Sequence, residues 1–130
     1  MSLIADIEDT YIRNLSEMKD PLQQFDYLMS LGMKKGRAIS VEKDEYRIPG
    51  CRTAIWVRQE GDSFETSSDS MLVLGVLWII RELYDGRTRD EISSNPMRFL
   101  DYISDYVVYP AIKNNGIRKL FRMIINKEGE

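Results

Sequence analysis

A single cysteine, Cys51, stands in the stretch IPGCRTAIWV, residues 48–57, between a Pro-Gly pair and an arginine. A thiol kept for bulk would more naturally lie inside an apolar run, whereas this one is placed on a turn. Gly50 accepts backbone angles that other residues resist, so Pro49-Gly50 makes a sharp, adaptable bend. Arg52 sets a permanent positive charge beside the sulfur, which favours the thiolate over an unperturbed pKa of about 8.5. Loops held by a rigid scaffold are where reactive groups collect. A nucleophilic thiol is one reading of these residues; an inert, packed cysteine is the other. Neither reading says what the thiol would react with.

What is missing narrows the chemistry further. The 130 residues include no histidine, so the commonest general base and the commonest metal ligand are absent. A Cys-His pair, a Ser-His-Asp triad and a histidine metal site are excluded outright. Neither GxGxxG nor GxxxxGK[ST] occurs, which leaves nucleotide-phosphate cradles unsupported. One cysteine cannot form an internal disulfide, so a reducing, cytoplasmic setting is expected. The same count leaves a thiol peroxidase without a resolving partner and an iron–sulfur scaffold without enough thiolates. No metal and no resident cofactor is expected.

Composition places the chain among ordinary soluble proteins: 43% hydrophobic and 30% charged residues. The net charge of −3 argues against nucleic-acid or membrane-surface partners, which select for basic excess. The opening MSLIADIEDT carries acids and no basic region ahead of an apolar core, so no signal peptide is expected. The longest apolar run, Met71 to Ile80, is about half of the ~20 residues a membrane span needs.

The elements that must position Cys51 follow from periodicity. Ile4, Ile7, Tyr11, Leu15 and Met18 recur at helical spacing and predict a helix over 3–18. Asp20-Pro21 supplies an N-cap and first-turn proline for a second helix, with Leu22, Phe25, Leu28 and Met29 inward and Gly32 as its stop. These two helices are expected to be antiparallel neighbours. Tyr46 to Ile48 reads as a short strand, Thr53 to Glu60 as a longer one, and Ser63 to Thr66 as its hairpin partner across Gly61-Asp62. Met71 to Ile80 is apolar all round, the mark of a central buried helix capped by Ser68 or Asp69. Gly75 within it costs about 1 kcal/mol relative to alanine, which makes sense if another backbone packs closely there. Thr88-x-x-Glu91 is a capping box, Asn95-Pro96 opens a further helix with Met97, Leu100 and Ile103 inward, and Ile117, Leu120, Phe121, Ile124 and Ile125 stripe a last helix from near Asn115. The expected fold is α+β over 1–130 as one domain: an antiparallel sheet of about three strands flanked by N-terminal and C-terminal helices.

Several other residues have two readings. Asp69 reads from its own chemistry as a plain helix cap. Trp56 and Trp78 read as packing rather than binding platforms. Lys113, Arg118, Lys119, Arg122 and Lys127 form either a solvated helix face with cations suited to its C-terminal end, or a surface for an acidic partner.

A resemblance adds to this reading. GCRTAIW, residues 50–56, resembles the G-C-x-S-x-V-W signature of the SufE family, sulfur acceptors of iron–sulfur cluster assembly. SSDSMLVLG (67–75), GVLWIIRELYDGRTRDEI (75–92) and NNGIRKLFRMI (114–124) resemble that family's remaining motifs, in order, over most of the chain. The likeness implies a SufE/IscU-like fold. It also implies that Cys51 takes the outer sulfur of a persulfide on a pyridoxal-phosphate cysteine desulfurase (SufS-like) and carries it as a transient persulfide to an iron–sulfur scaffold, activating the desulfurase. The pyridoxal phosphate would belong to the partner, and no independent turnover is implied. Pro49, Gly50, Arg52 and Asp69 would form the cysteine loop and its surroundings, with Lys113 and Arg118 as partner contacts. Three positions depart from the family pattern. Arg52 replaces a commonly uncharged residue, Arg89 follows Thr88 where proline is common, and Lys113 replaces an arginine, with one extra residue between it and Pro110. Lysine keeps the charge but not arginine's planar fork. These departures keep an alternative open, a non-catalytic interaction or regulatory module of the same fold in which the thiol is incidental.

Overall fold

The computed structural model describes residues 3–126. Helix α1 spans Ile4–Glu17 and α2 spans Pro21–Lys35, the latter opened by a full capping box between Asp20 and Gln23 and closed at Gly36. Strands β1, Ile55–Glu60, and β2, Ser63–Ser68, form an antiparallel hairpin in the register Ile55↔Ser68 to Glu60↔Ser63. Helix α3, Met71–Tyr84, is central, and α4, Arg89–Ser93, is held by the expected Thr88–Glu91 capping box. The C-terminal helix runs as α5, Pro110–Ile112, a π-helical turn, Lys113–Ile117, and α6, Arg118–Asn126. The fold is α+β, a small antiparallel sheet between helices. No helix among the described residues is long and apolar enough to cross a membrane.

The core is assembled around α3, whose Val73, Leu74, Val76, Leu77, Ile79, Ile80 and Leu83 are all buried. Its pairing with α2 is a glycine contact. A Cβ added to Gly75 would overlap the Leu28 carbonyl, and one added to Gly32 would overlap the Met71 carbonyl. The close backbone approach expected at Gly75 is therefore present, and the backbone it meets is α2. Gly32 is not the stop of α2: the helix continues through it to Lys35, and Gly36, at φ 67°, ends it.

Other expectations shift for identifiable reasons. Helix α2 buries Gln24, Leu28, Leu31 and Gly32, leaving Leu22 and Phe25 exposed. Its face is rotated because Gln24 is a polar crosslink: Nε2 donates to the carbonyls of Leu15 (3.2 Å) and Tyr102 (2.8 Å), and Oε1 accepts from Ser104 N–H (2.7 Å). Consequently α2 packs chiefly on α3, and α1 packs on α3 and the 99–102 turn rather than forming an antiparallel pair with α2. Among the described residues the sheet has two strands, not three. Residues 44–46 coil into a 3-10 turn and Pro49 has no N–H to offer a ladder, so only a bridge Arg47↔Trp56 survives of the third.

The helix expected from Asn95-Pro96 is a 3-10 turn, Phe99–Tyr102. Asn95 instead serves α4, donating to Glu91 O and accepting from Tyr84 Oη. The N–H groups of Arg98 and Phe99 are taken by Oε2 of Glu8 (2.7 and 2.9 Å), a carboxylate only 1% exposed and paired with Arg98. Finally, α3 is capped by Ser70, whose Oγ accepts from Val73 N–H, and not by Ser68 or Asp69; and the last helix begins at Pro110, a first-turn proline, ahead of Asn115. Lys127 lies outside the described residues.

Candidate functional site

The cysteine loop, residues 49–54, leads into β1. Its base is closed where Ile48 N–H donates to Ile55 O (2.8 Å), and both flanks, Ile48 and Ala54, are buried. Pro49, Gly50 and Arg52 are exposed, while Cys51 is half-buried and packs against the edge of the core. Gly50 adopts φ 80°, a left-handed angle that a side chain would strain, so the glycine makes the bend that presents Cys51. The bend expected at Gly50 is present.

Three contacts hold the loop. The first is the seat of the thiol. A Cβ added to Gly116 would lie 3.1 Å from Cys51 Sγ, 3.7 Å from its Cβ, and 2.8 Å from Ile55 Cδ1. The cysteine therefore rests on bare helix backbone within the π-turn, sharing that surface with the first residue of β1. The second contact is at the loop's exit. Ala54 N–H donates to Asp69 Oδ1 (3.2 Å), and Ser68 Oγ donates to Ala54 O (2.7 Å). The exposed Asp69 is thus tied to the cysteine loop, its carboxylate accepting from a part-buried backbone donor at the loop's exit. The third is at the entrance, where Lys119 Nζ donates to Pro49 O (3.0 Å).

The remaining sequence candidates lie elsewhere. Arg52 is exposed and has no hydrogen-bond or ion-pair partner among the described residues, so its charge faces water. Lys113 is buried, and its ammonium donates to the carbonyl of Ile103 and to Asp105 Oδ1 (2.9 Å), tying the π-turn to the preceding loop. Arg118 pairs with Asp101 (3.0 Å) at the surface. The fold joins Pro49, Gly50, Cys51 and Arg52 with Asp69; it gives Lys113 and Arg118 partners on the 101–105 segment instead.

Sequence reasoning missed Gly116 and Lys119 as partners of the cysteine loop. Gly116 carried a signal, since a glycine inside an apolar-striped helix costs stability unless a neighbour needs the space, the same argument that exposed Gly75. Lys119 carried none, because its partner is a backbone carbonyl 70 positions away. No cluster of three or more His, Cys, Asp or Glu side chains that could hold a metal exists among the described residues. What the arrangement offers chemically is one thiol on a glycine hinge, reachable from solvent on one side and backed by helix on the other.

A family model described as SufE, Fe-S metabolism associated domain, matches residues 9–127. The match takes in the cysteine loop, Asp69, the glycine pair between α2 and α3, and the π-turn that seats the thiol. With a match over that span, the chain belongs to the SufE family, whose domain is associated with Fe–S metabolism.

Proposed function

We propose that this protein is a persulfide sulfur acceptor and an activator of a cysteine desulfurase, relaying sulfur on Cys51 toward iron–sulfur cluster assembly. The observation that carries the reading is the placement of Cys51: the one thiol of the chain, half-exposed at a left-handed glycine bend, on a loop whose two ends are anchored in the core. A cysteine in this position can be offered to another protein without unfolding the scaffold.

The chemistry needs only the thiolate. Cys51 S⁻ attacks the outer sulfur of a persulfide on the desulfurase, a new S–S bond forms, and the donor's S–S bond breaks. The electron pair leaves with the donor's sulfur as a thiolate, and Cys51 now bears –S–SH. Electrons are conserved, so no oxidant is consumed, and no histidine or other base is required once the thiolate is formed. The exposed guanidinium of Arg52, next in the chain, supplies positive potential along the sulfur's approach. The persulfide is then passed by the same exchange to a cluster scaffold. The chain is read as one domain over 1–130, acting in the cytoplasm.

The test is stimulation of a Suf-type desulfurase without reductant. Native protein is expected to raise cysteine turnover several-fold and Cys51→Ser to abolish the effect. Equal stimulation by Cys51→Ser would replace this reading with that of an interaction module in which the thiol is incidental.

A further inference from the structure

The geometry points to Lys119 as a positioning residue that latches the cysteine loop and sets how readily Cys51 is presented. The inference rests on the reading of Cys51 as the sulfur-bearing residue and adds a control element to it. Lys119 Nζ donates to Pro49 O at 3.0 Å, and it also occupies the space beside Gly50, where an added Cβ would come within 2.8 Å of it. The ammonium therefore lies on the residue pair that makes the bend, immediately before Cys51.

Two features separate this contact from an incidental surface lysine. Lysine loses much rotamer freedom when pinned, and Lys119 is part-buried rather than splayed into solvent. Lys119 has no carboxylate partner among the described residues; its neighbour Arg118 takes Asp101. In addition, Lys119 follows Gly116 by three positions, so latch and thiol seat are adjacent on one helical face. The helix holds the loop on both sides of its hinge, by a hydrogen bond at Pro49 and by packing at Cys51. Opening the loop requires the first to break before the thiol can leave the second. A carboxylate brought by a docking protein would bind the ammonium more strongly than a neutral carbonyl does, and would release Pro49.

The latch is tested on the isolated protein by the rate of Cys51 alkylation with iodoacetamide at about pH 7.5, with urea midpoints measured in parallel. Removing a positive charge near a thiol disfavours the thiolate and by itself slows alkylation, so a faster rate reports access. Lys119→Met is expected to raise the rate about tenfold, the size of a hydrogen bond from a charged donor. Lys119→Arg, which keeps a cationic donor, is expected to stay within about twofold of native. An unchanged or lower rate in Lys119→Met overturns the latch, as does equal acceleration in Lys119→Arg or acceleration that merely follows a lowered urea midpoint. Should Lys119→Met not fold, Lys119→Gln serves in its place with the same expectations. No desulfurase is present, so a failed latch and a failed sulfur carrier are distinguished.

Discussion

The side chain of Cys51 lies on the backbone of Gly116, so close that a methyl group at position 116 would sit 3.1 Å from its sulfur. The contact joins a loop bent at Gly50 to a helix bare enough to receive it. It falls within the π-turn Lys113–Ile117, where the helix widens by one residue per turn.

Gly116→Ala is expected to unseat the cysteine. Its Cβ would press on Ile55 Cδ1 and Cys51 Sγ, an overpacking that costs about 1–3 kcal/mol. Alanine's better helix propensity returns up to about 1 kcal/mol. Urea denaturation should therefore show a net loss of up to about 3 kcal/mol, with Cys51 alkylated faster than in the native protein. Slower alkylation would mean that the thiol does not use this seat.

Gly75→Ala tests the scaffold rather than the site. The new methyl group would overlap the Leu28 carbonyl, which belongs to helix backbone and cannot rotate aside. The expected loss is about 3 kcal/mol or more, read as a lower urea midpoint. Gly32→Ala should cost a similar amount, and the double variant less than the sum, because one separation of α2 from α3 relieves both.

How far this could be read from sequence depends on whether the deciding partner was near or far. Gly75 was legible, because a helix-breaking cost inside an apolar run demands a compensating close approach. Gly32 was not, because a glycine after an apolar stretch looks the same whether it stops a helix or touches another one. The hairpin, expected over 53–60 and 63–66 and found over 55–60 and 63–68, and the Thr88 capping box are set by neighbouring residues. The 95–103 segment was misread because its N–H groups are claimed by Glu8, some 90 positions earlier, and a lone acid in an amphipathic pattern reads as surface. Within the site, Cys51 and its bend were legible from local chemistry. The seat and the latch were not, since each depends on a contact across the fold.

Asp69 and Lys113 separate a site residue from a structural one. Asp69→Ala leaves Ala54 N–H without its acceptor and should cost about 1–2 kcal/mol, while amide hydrogen exchange in the 50–54 loop accelerates. Asp69→Asn keeps an acceptor oxygen and should restore most of the protection. Exchange unchanged in Asp69→Ala would detach this aspartate from the loop.

Lys113→Met removes the donor that satisfies the buried Ile103 carbonyl and should destabilise by about 1–3 kcal/mol. Desulfurase stimulation per folded molecule should stay within about twofold of native, because the lysine's ammonium is already committed inside the protein. Stimulation lost at an unchanged urea midpoint would return Lys113 to the partner surface.

The most direct measurement is intact-mass spectrometry after incubation with an active Suf-type cysteine desulfurase and free cysteine, without reductant. The account predicts one added sulfur per chain that maps to Cys51 and disappears on reduction. A chain that gains no sulfur, beside a desulfurase shown to be turning over and to bind it, would contradict the role assigned to Cys51.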